Sequence, residues 1–273
     1  MGDLNILVFN VDHGFCSFLH SPNGYGLLYD CGRGTYFSPI RYIQQNIPLV
    51  PFEDRQLAKL VISHPHDDHI EDIDRLISEL PPKIIRRQTY NWNAIKTPGA
   101  QSQGYENLDT YSTWQSNYNQ PVVNEPDWVL QISDSICLSP STAFRINANY
   151  VNNSSIPMVV TYKGYKIVFS GDLEEEGWLK LLENASFCRL IEGAHFFIAS
   201  HHGHSTGYCP EIFEVIGQPF LNIISMRSGD DNVHAAYSQN SRGIMYQGQT
   251  RYMLSTRNDG SKSWSGKTGH SYK

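Results

Sequence analysis

"LAKLVISHPHDDHIED", residues 57–72, passes from an apolar run into a burst of ionisable side chains. Positions 63–72 hold three histidines, His64, His66 and His69, and three aspartates, Asp67, Asp68 and Asp72. Without partners, such groups would repel one another and be costly to bury. A cation among them removes both problems. Residues 57–63 read as a buried strand. "EDIDRLISEL" (71–80) reads as a helix with Ile73, Leu76, Ile77 and Leu80 on one face, ended by Pro81-Pro82. The polar cluster therefore lies on a turn between strand and helix. Neutral imidazoles and carboxylates are the donors that suit zinc and similar divalent ions. His64 and His66 are two apart on a segment that Pro65 keeps extended, so they can share a face. They would serve one ion, and Asp68 with His69 a second. Asp67 reads as a solvated or helix-capping carboxylate.

The bulk properties set limits around that site. The chain has 273 residues, 40% hydrophobic and 18% charged, which is enough apolar material for a large core. Its formal net charge of −6 argues against a long basic groove for nucleic acid. A small or short anionic substrate, nucleic acid included, stays compatible because bound metal adds local positive charge. Five cysteines, an odd number with no C-x-x-C pair, read as reduced thiols in a cytoplasmic protein. The opening "MGDLNILVFNVDHG" reads as a first strand, not a signal peptide. No apolar stretch is long enough to cross a membrane, so no membrane partner is expected. Oligomeric state is not fixed by the sequence.

Strands are expected at 5–11, 15–21, 25–32, 128–133, 135–139, 156–163, 165–171, 196–200, 220–226 and 251–255. Helices are expected at 38–46, 174–184 and 210–217 besides 71–80. Residues 86–127 are polar and aromatic with almost no aliphatic run, and read as a loop-rich insertion. The tail from 257 reads as polar and frayed. Two strand-rich halves with interspersed helices give an α/β chain of two sheets flanked by helices.

The motif His64-x-His66-x-Asp68-His69 resembles the signature of the metallo-β-lactamase-fold hydrolases. The likeness extends to "LLYDCG" (27–32), "KIVFSGD" (166–172), "FFIASHHGHSTG" (196–207) and "DDNVHAAY" (230–237). It implies one metallo-β-lactamase-like domain over 1–273, an αββα sandwich of two mixed β-sheets flanked by helices. It further implies that Asp172 bridges two metals and that Asp30 supports the histidine ligands from behind. Of His201 and His202, one would take a metal and the other the substrate. Either order is open, and His201 as ligand with His202 as catalytic proton donor is the one carried forward. His234 would be a ligand or the acid for the leaving group. The hydrolase domain of ComEC-type competence proteins is the subgroup it resembles most. "NNSS" (152–155) echoes that subgroup and places Asn153 and Ser155, with His204, at the substrate. Many members of the wider family carry a further histidine ligand near 147–157, and this chain has none there. The first ion would then be held weakly or be a harder one, so zinc is expected with manganese as the alternative.

The resemblance implies hydrolysis by a metal-bound hydroxide, with Asp68 and Asp172 orienting it and His201, His202 or His234 protonating the departing oxygen. The spare histidines and the ComEC likeness tilt the expected bond to a phosphodiester, in nucleic acid or something nucleotide-like. A lactone, thioester or carboxylic-ester hydrolase is the alternative, and a metal-stabilised, non-catalytic binding module is another. Arg86 and Arg87 could hold a phosphate.

Overall fold

The computed structural model describes residues 2–49, 57–96, 105–146, 150–227 and 233–266. Asn232 of the "DDNVHAAY" motif and tail residues 267–273 lie outside them. The chain divides into two compact units, residues 1–129 with 261–273, and residues 130–260.

In the first unit, short apolar runs separated by turn residues become strands β1 (Asn5–Val8), β2 (Ser17–His20) and β3 (Gly26–Tyr29). They continue into β4 (Leu57–Val61) and β5 (Pro82–Arg86). The sheet order is strand Lys262–Ser265, then β1 to β5. Its first three joins are antiparallel; β3–β4 and β4–β5 are parallel. Parallel neighbours need crossovers. Helix α1 (Pro39–Asn46) lies between β3 and β4; α2 (Asp67–Ile70) and α3 (Ile73–Glu79) lie between β4 and β5. Ser38 caps α1 by accepting from Arg41 N, and Pro39 takes the first turn, where its missing N–H costs nothing.

Three features of this unit depart from the sequence expectations. The strand after Pro81-Pro82 was not expected, because two prolines read as a stop. Pro82 is tolerated because β5 is the sheet's edge. The tail is not frayed up to residue 265: Lys262–Ser265 pairs with β1, Ile6 opposite Trp264. The 86–127 segment holds α4 (Trp92–Ile95) and α5 (Glu106–Gln115), with Leu108, Tyr111 and Gln115 of α5 buried. Its remaining polar stretch also packs back: Lys59, buried within β4, meets the Glu125 carboxylate at 3.0 Å.

The second unit carries β6 (Gln131–Ser133), β7 (Met158–Tyr162), β8 (Tyr165–Phe169), β9 (Phe196–Ile198), β10 (Leu221–Ile224), β11 (Ile244–Tyr246), β12 (Gln249–Arg251) and β13 (Met253–Ser255). Its six-stranded sheet has the order β13-β10-β9-β8-β7-β6, and β11 with β12 forms a separate hairpin. β6, β7 and β8 are antiparallel neighbours; the other joins are parallel, so this sheet is mixed as well. The β7–β8 turn is Lys163-Gly164, both at positive φ (49° and 84°), the two-residue turn that suits a twisted hairpin. Between strands lie α6 (Pro140–Ile146), α7 (Tyr150–Asn153), α8 (Glu175–Leu182), α9 (Ala185–Ile191) and α10 (Pro210–Ile216). No strand forms at 135–139; Pro140 opens α6 instead. Trp178 of α8 anchors the core against Phe187 and Phe197, with ring centroids 6.2 and 6.1 Å away. The fold is thus the expected α/β one, two mixed sheets with flanking helices.

Because Trp264 is 5% exposed within a paired strand, Trp264→Ala should destabilise the protein by about 3–5 kcal/mol in urea unfolding. An unchanged midpoint would mean that the tail strand contributes nothing.

Candidate functional site

The first unit builds its polar cluster around Asp30. This residue follows β3 directly, is fully buried, and has φ 59°, a left-handed conformation that aspartate tolerates better than most residues. Its carboxylate accepts from Ser63 N (2.6 Å), Ser63 Oγ (2.7 Å) and His69 Nδ1 (2.8 Å). Burial pushes the Asp30 carboxyl up, and His69 and Ser63 oppose that shift. A carboxylate only accepts, so His69 carries its proton on Nδ1 and presents the Nε2 lone pair. Ser63 spends its hydroxyl proton on Asp30. Its oxygen therefore accepts from His64 Nδ1 at 3.1 Å, which leaves His64 Nε2 as the lone-pair nitrogen too. His66 Nδ1 lies 3.0 Å from that nitrogen. One buried carboxylate thus sets two tautomers, both of the form that binds metal.

The backbone of this loop is clamped. Cys31 N donates to His69 O (2.8 Å), Phe15 N to Asp68 O (3.2 Å) and Asp72 N to Cys31 O (2.8 Å). A Cβ at Gly14 or Gly32 would collide with the Asp68 carbonyl, so only glycine allows this approach. Asp68 Oδ2 faces two histidines, His69 Nε2 at 3.8 Å and His13 Nε2 at 3.9 Å. Asp67 is buried, not solvated, and accepts from Asn107 Nδ2 of α5 at 2.7 Å. The insertion therefore braces the loop.

The second unit gathers its own donors at the ends of β8 and β9. Asp172 is nearly buried, and its N–H donates to Ser155 Oγ at 3.0 Å. Asn153 Oδ1 accepts from Glu174 N at 2.9 Å, holding the turn between Asp172 and α8. A side chain at Gly177 would strike that same oxygen. Asn152 Nδ2 donates to Glu174 Oε1 at 3.1 Å, and burial raises the Glu174 carboxyl. His201, His202 and Gly203 all have positive φ (49°, 54° and 77°). Two such residues that are not glycine cost of order 1–3 kcal/mol each, a strain typical of functional sites. His202 Nδ1 meets Ser225 O at 3.1 Å and must donate to that carbonyl. Its Nε2 lone pair then points at Asp172 Oδ2, 3.4 Å away. A lone pair facing a carboxylate is relieved by a bound cation or by a second proton on the ring.

These placements change several sequence assignments. His202, not His201, faces Asp172, because the left-handed backbone turns the rings in a way that strand alternation does not anticipate. His201 Nδ1 meets Thr206 Oγ1 at 2.8 Å, and its ring stacks on His204 at 5.4 Å. His234 Nδ1 accepts from Ala236 N (3.3 Å), so that nitrogen is occupied and the neutral ring carries its proton on Nε2, where it can donate. Its ring lies flat on Tyr208, 4.2 Å between centroids. Asn153 and Ser155 are fully buried supports for the Asp172 turn rather than surfaces for substrate. Arg87 is committed to Gln115 and to Tyr118 O. Ser63, Asn107 and the approach of His13 to Asp68 were not anticipated, because their partners lie far away in sequence.

The donor types suit divalent metal: neutral imidazoles with assigned tautomers beside carboxylates. Among the described residues, no helix is long and apolar enough to cross a membrane. The family profile of the Metallo-beta-lactamase superfamily matches residues 10–184. A search of curated protein sequences gave no significant match. Among solved structures, the metallo-beta-lactamase fold protein YhfI from Bacillus subtilis aligns with TM-score 0.53 at 15% identity, over 97% of this chain and 100% of that one. An isothiocyanate hydrolase from Delia radicum gut bacteria aligns with TM-score 0.48 at 12% identity, over 95% of this chain and 99% of that one. A diphosphatase from the PhnP family aligns with TM-score 0.46 at 9% identity, over 97% and 99%. At such identities structural likeness speaks of fold alone, whereas the profile covers most of the chain and includes the His64-to-His69 motif and Asp172. The chain belongs to the metallo-beta-lactamase superfamily.

Proposed function

We propose that this chain is a divalent-metal-dependent hydrolase of phosphodiesters, in nucleic acid or a nucleotide-like molecule, akin to the ComEC-type hydrolase domain. The observation that carries the metal reading is the Asp30–Ser63 network, which fixes His64 and His69 with their Nε2 lone pairs available. The residues that would hold metal are His64, His66, Asp68 and His69 of the first unit and Asp172 and His202 of the second. Zinc suits the imidazoles; manganese suits the carboxylates and a donor set lacking the further histidine. When bound, such ions supply Lewis-acid chemistry, polarising the scissile phosphoryl oxygen and acidifying a water.

Each unit supplies its own candidate groups. In the first, Asp68 is the proton acceptor for a water. In the second, His234, with its proton on Nε2, is a proton donor, and His201 and His204, stacked on one another and partly exposed, are the substrate contacts. Ser155 and Asn153 act on Asp172 by holding its turn. The substrate class rests on the sequence resemblance and on these spare histidines. The buried reduced thiols Cys16, Cys31 and Cys209 support a place in a reducing compartment.

The test combines elemental analysis with activity toward bis(p-nitrophenyl) phosphate, a lactone panel and a thioester, each with added zinc or manganese. Chelator-sensitive cleavage of the diester is expected. Turnover confined to lactones or thioesters would replace the substrate class, and bound metal without turnover would make the chain a binding module.

Two substitutions probe the geometry. Asp30→Asn should weaken metal affinity about 10–100-fold in chelator competition, since its loss unfixes two tautomers; Ser63→Ala should act in the same direction. His202→Ala should remove more metal than His201→Ala by elemental analysis, and the reverse ranking would restore His201 as the ligand.

A further inference from the structure

Beyond the metal loop, the first unit has a cleft of about 440 Å³ whose lining includes Arg33, Tyr36, Phe37, Arg41, Tyr42 and Arg75. Among the described residues, no aspartate or glutamate lines it. Three guanidinium groups in one cleft are unexpected on a chain with net charge −6. Two have carboxylate partners that orient them. Arg75 Nη1 meets Asp72 Oδ1 at 2.8 Å; Asp72 is buried and also accepts from Ser38 Oγ at 2.5 Å. Arg41 Nε meets Glu79 Oε1 at 3.4 Å. A guanidinium has five N–H donors, so one held at one edge still offers donors from the other.

The aromatic part is equally specific. Tyr36 is 100% exposed, yet its turn is rigid. Gly34 and Phe37 exchange backbone hydrogen bonds, and Asp12 Oδ2 accepts from both Thr35 N (2.7 Å) and Thr35 Oγ1 (2.9 Å). Phe37 packs on Phe9 and Tyr42, with centroids 5.7 and 6.0 Å apart. A fully solvated ring on a fixed turn loses little entropy when a flat partner covers it. The cleft also adjoins the metal loop within this unit. Gly32 packs on the Asp68 carbonyl, and Arg33 is the next residue.

We propose that this cleft binds single-stranded nucleic acid, with phosphates on Arg33, Arg41 and Arg75 and an unpaired base stacked on Tyr36. Guanidinium groups recognise phosphates and exposed aromatics recognise base faces, a combination that tolerates any sequence. Paired bases have no exposed face for Tyr36, so a duplex binds less well. The proposal deepens the phosphodiesterase reading and rests on it only for the fate of the bound strand.

The test is fluorescence anisotropy of a labelled oligothymidylate against the whole protein in chelator, where hydrolysis and metal-mediated binding are both excluded. Tyr36→Ala should weaken binding about tenfold, and Tyr36→Phe should restore it. Arg33→Ala with Arg41→Ala should weaken binding and flatten its salt dependence. Arg75 is left intact because it holds buried Asp72, and circular dichroism checks that each variant is folded. The proposal is overturned if the oligonucleotide does not bind, if the variants bind like the wild type, or if duplex or polyglutamate binds equally well. Strand binding by a protein that cleaves no phosphodiester would support the cleft and overturn the phosphodiesterase reading. Diester cleavage without strand binding would do the opposite.

Discussion

A single buried carboxylate, Asp30, is the constraint on which the first unit's site depends. Removing an ionised carboxylate from water costs several kcal/mol unless hydrogen bonds replace the lost hydration. Asp30 receives three, from Ser63 N, Ser63 Oγ and His69 Nδ1. Those bonds tie the end of β3 to the loop after β4 and to α2. They also decide which nitrogen of His69 and, through Ser63, of His64 carries a proton. Fold stability and ligand chemistry therefore share the same atoms. The left-handed backbone at Asp30 turns the chain so that Cys31 and Gly32 can clamp the loop's carbonyls.

The second unit reaches the same end by distributing the task. Ser155 holds the Asp172 amide, Asn153 holds that of Glu174, and Ser200 Oγ donates to Leu173 O at 2.5 Å. The left-handed run His201-His202-Gly203 stores strain that these neighbours hold in place. Its effect is to aim the His202 ring at Asp172, an orientation no extended backbone would give.

How much of this was legible depends on how local each signal is. His64, His66, Asp68 and His69 are readable because ligand type and spacing lie within six consecutive residues after an apolar strand. Asp30 and Asp172 were reachable only through a family resemblance, since their partners are far away in sequence. The α5 helix was hidden because its buried positions include Gln115 as well as Leu108 and Tyr111, so no apolar stripe stands out. β5 was masked by Pro82, harmless at a sheet edge. The order of His201 and His202 was not legible at all, because it follows from positive φ values at residues that usually avoid them. Asn153 and Ser155 look alike as substrate contacts or as supports until their hydrogen bonds are seen.

The pairing of β1 with Lys262–Ser265 has a consequence for how the protein is made. β1 leaves the ribosome before its edge partner and waits for it until all of residues 130–260 have emerged. That intervening segment is continuous and has its own mixed sheet and core. Synthesis therefore favours an order in which the later unit completes first, although domains usually finish from the N-terminus. Until then β1 is an open edge able to pair with another chain. The loop closure joining β1 to its partner spans the whole second unit, which makes it a slow step in folding. The metal loop, carried on the same sheet, would be among the last parts to mature in a newly made molecule.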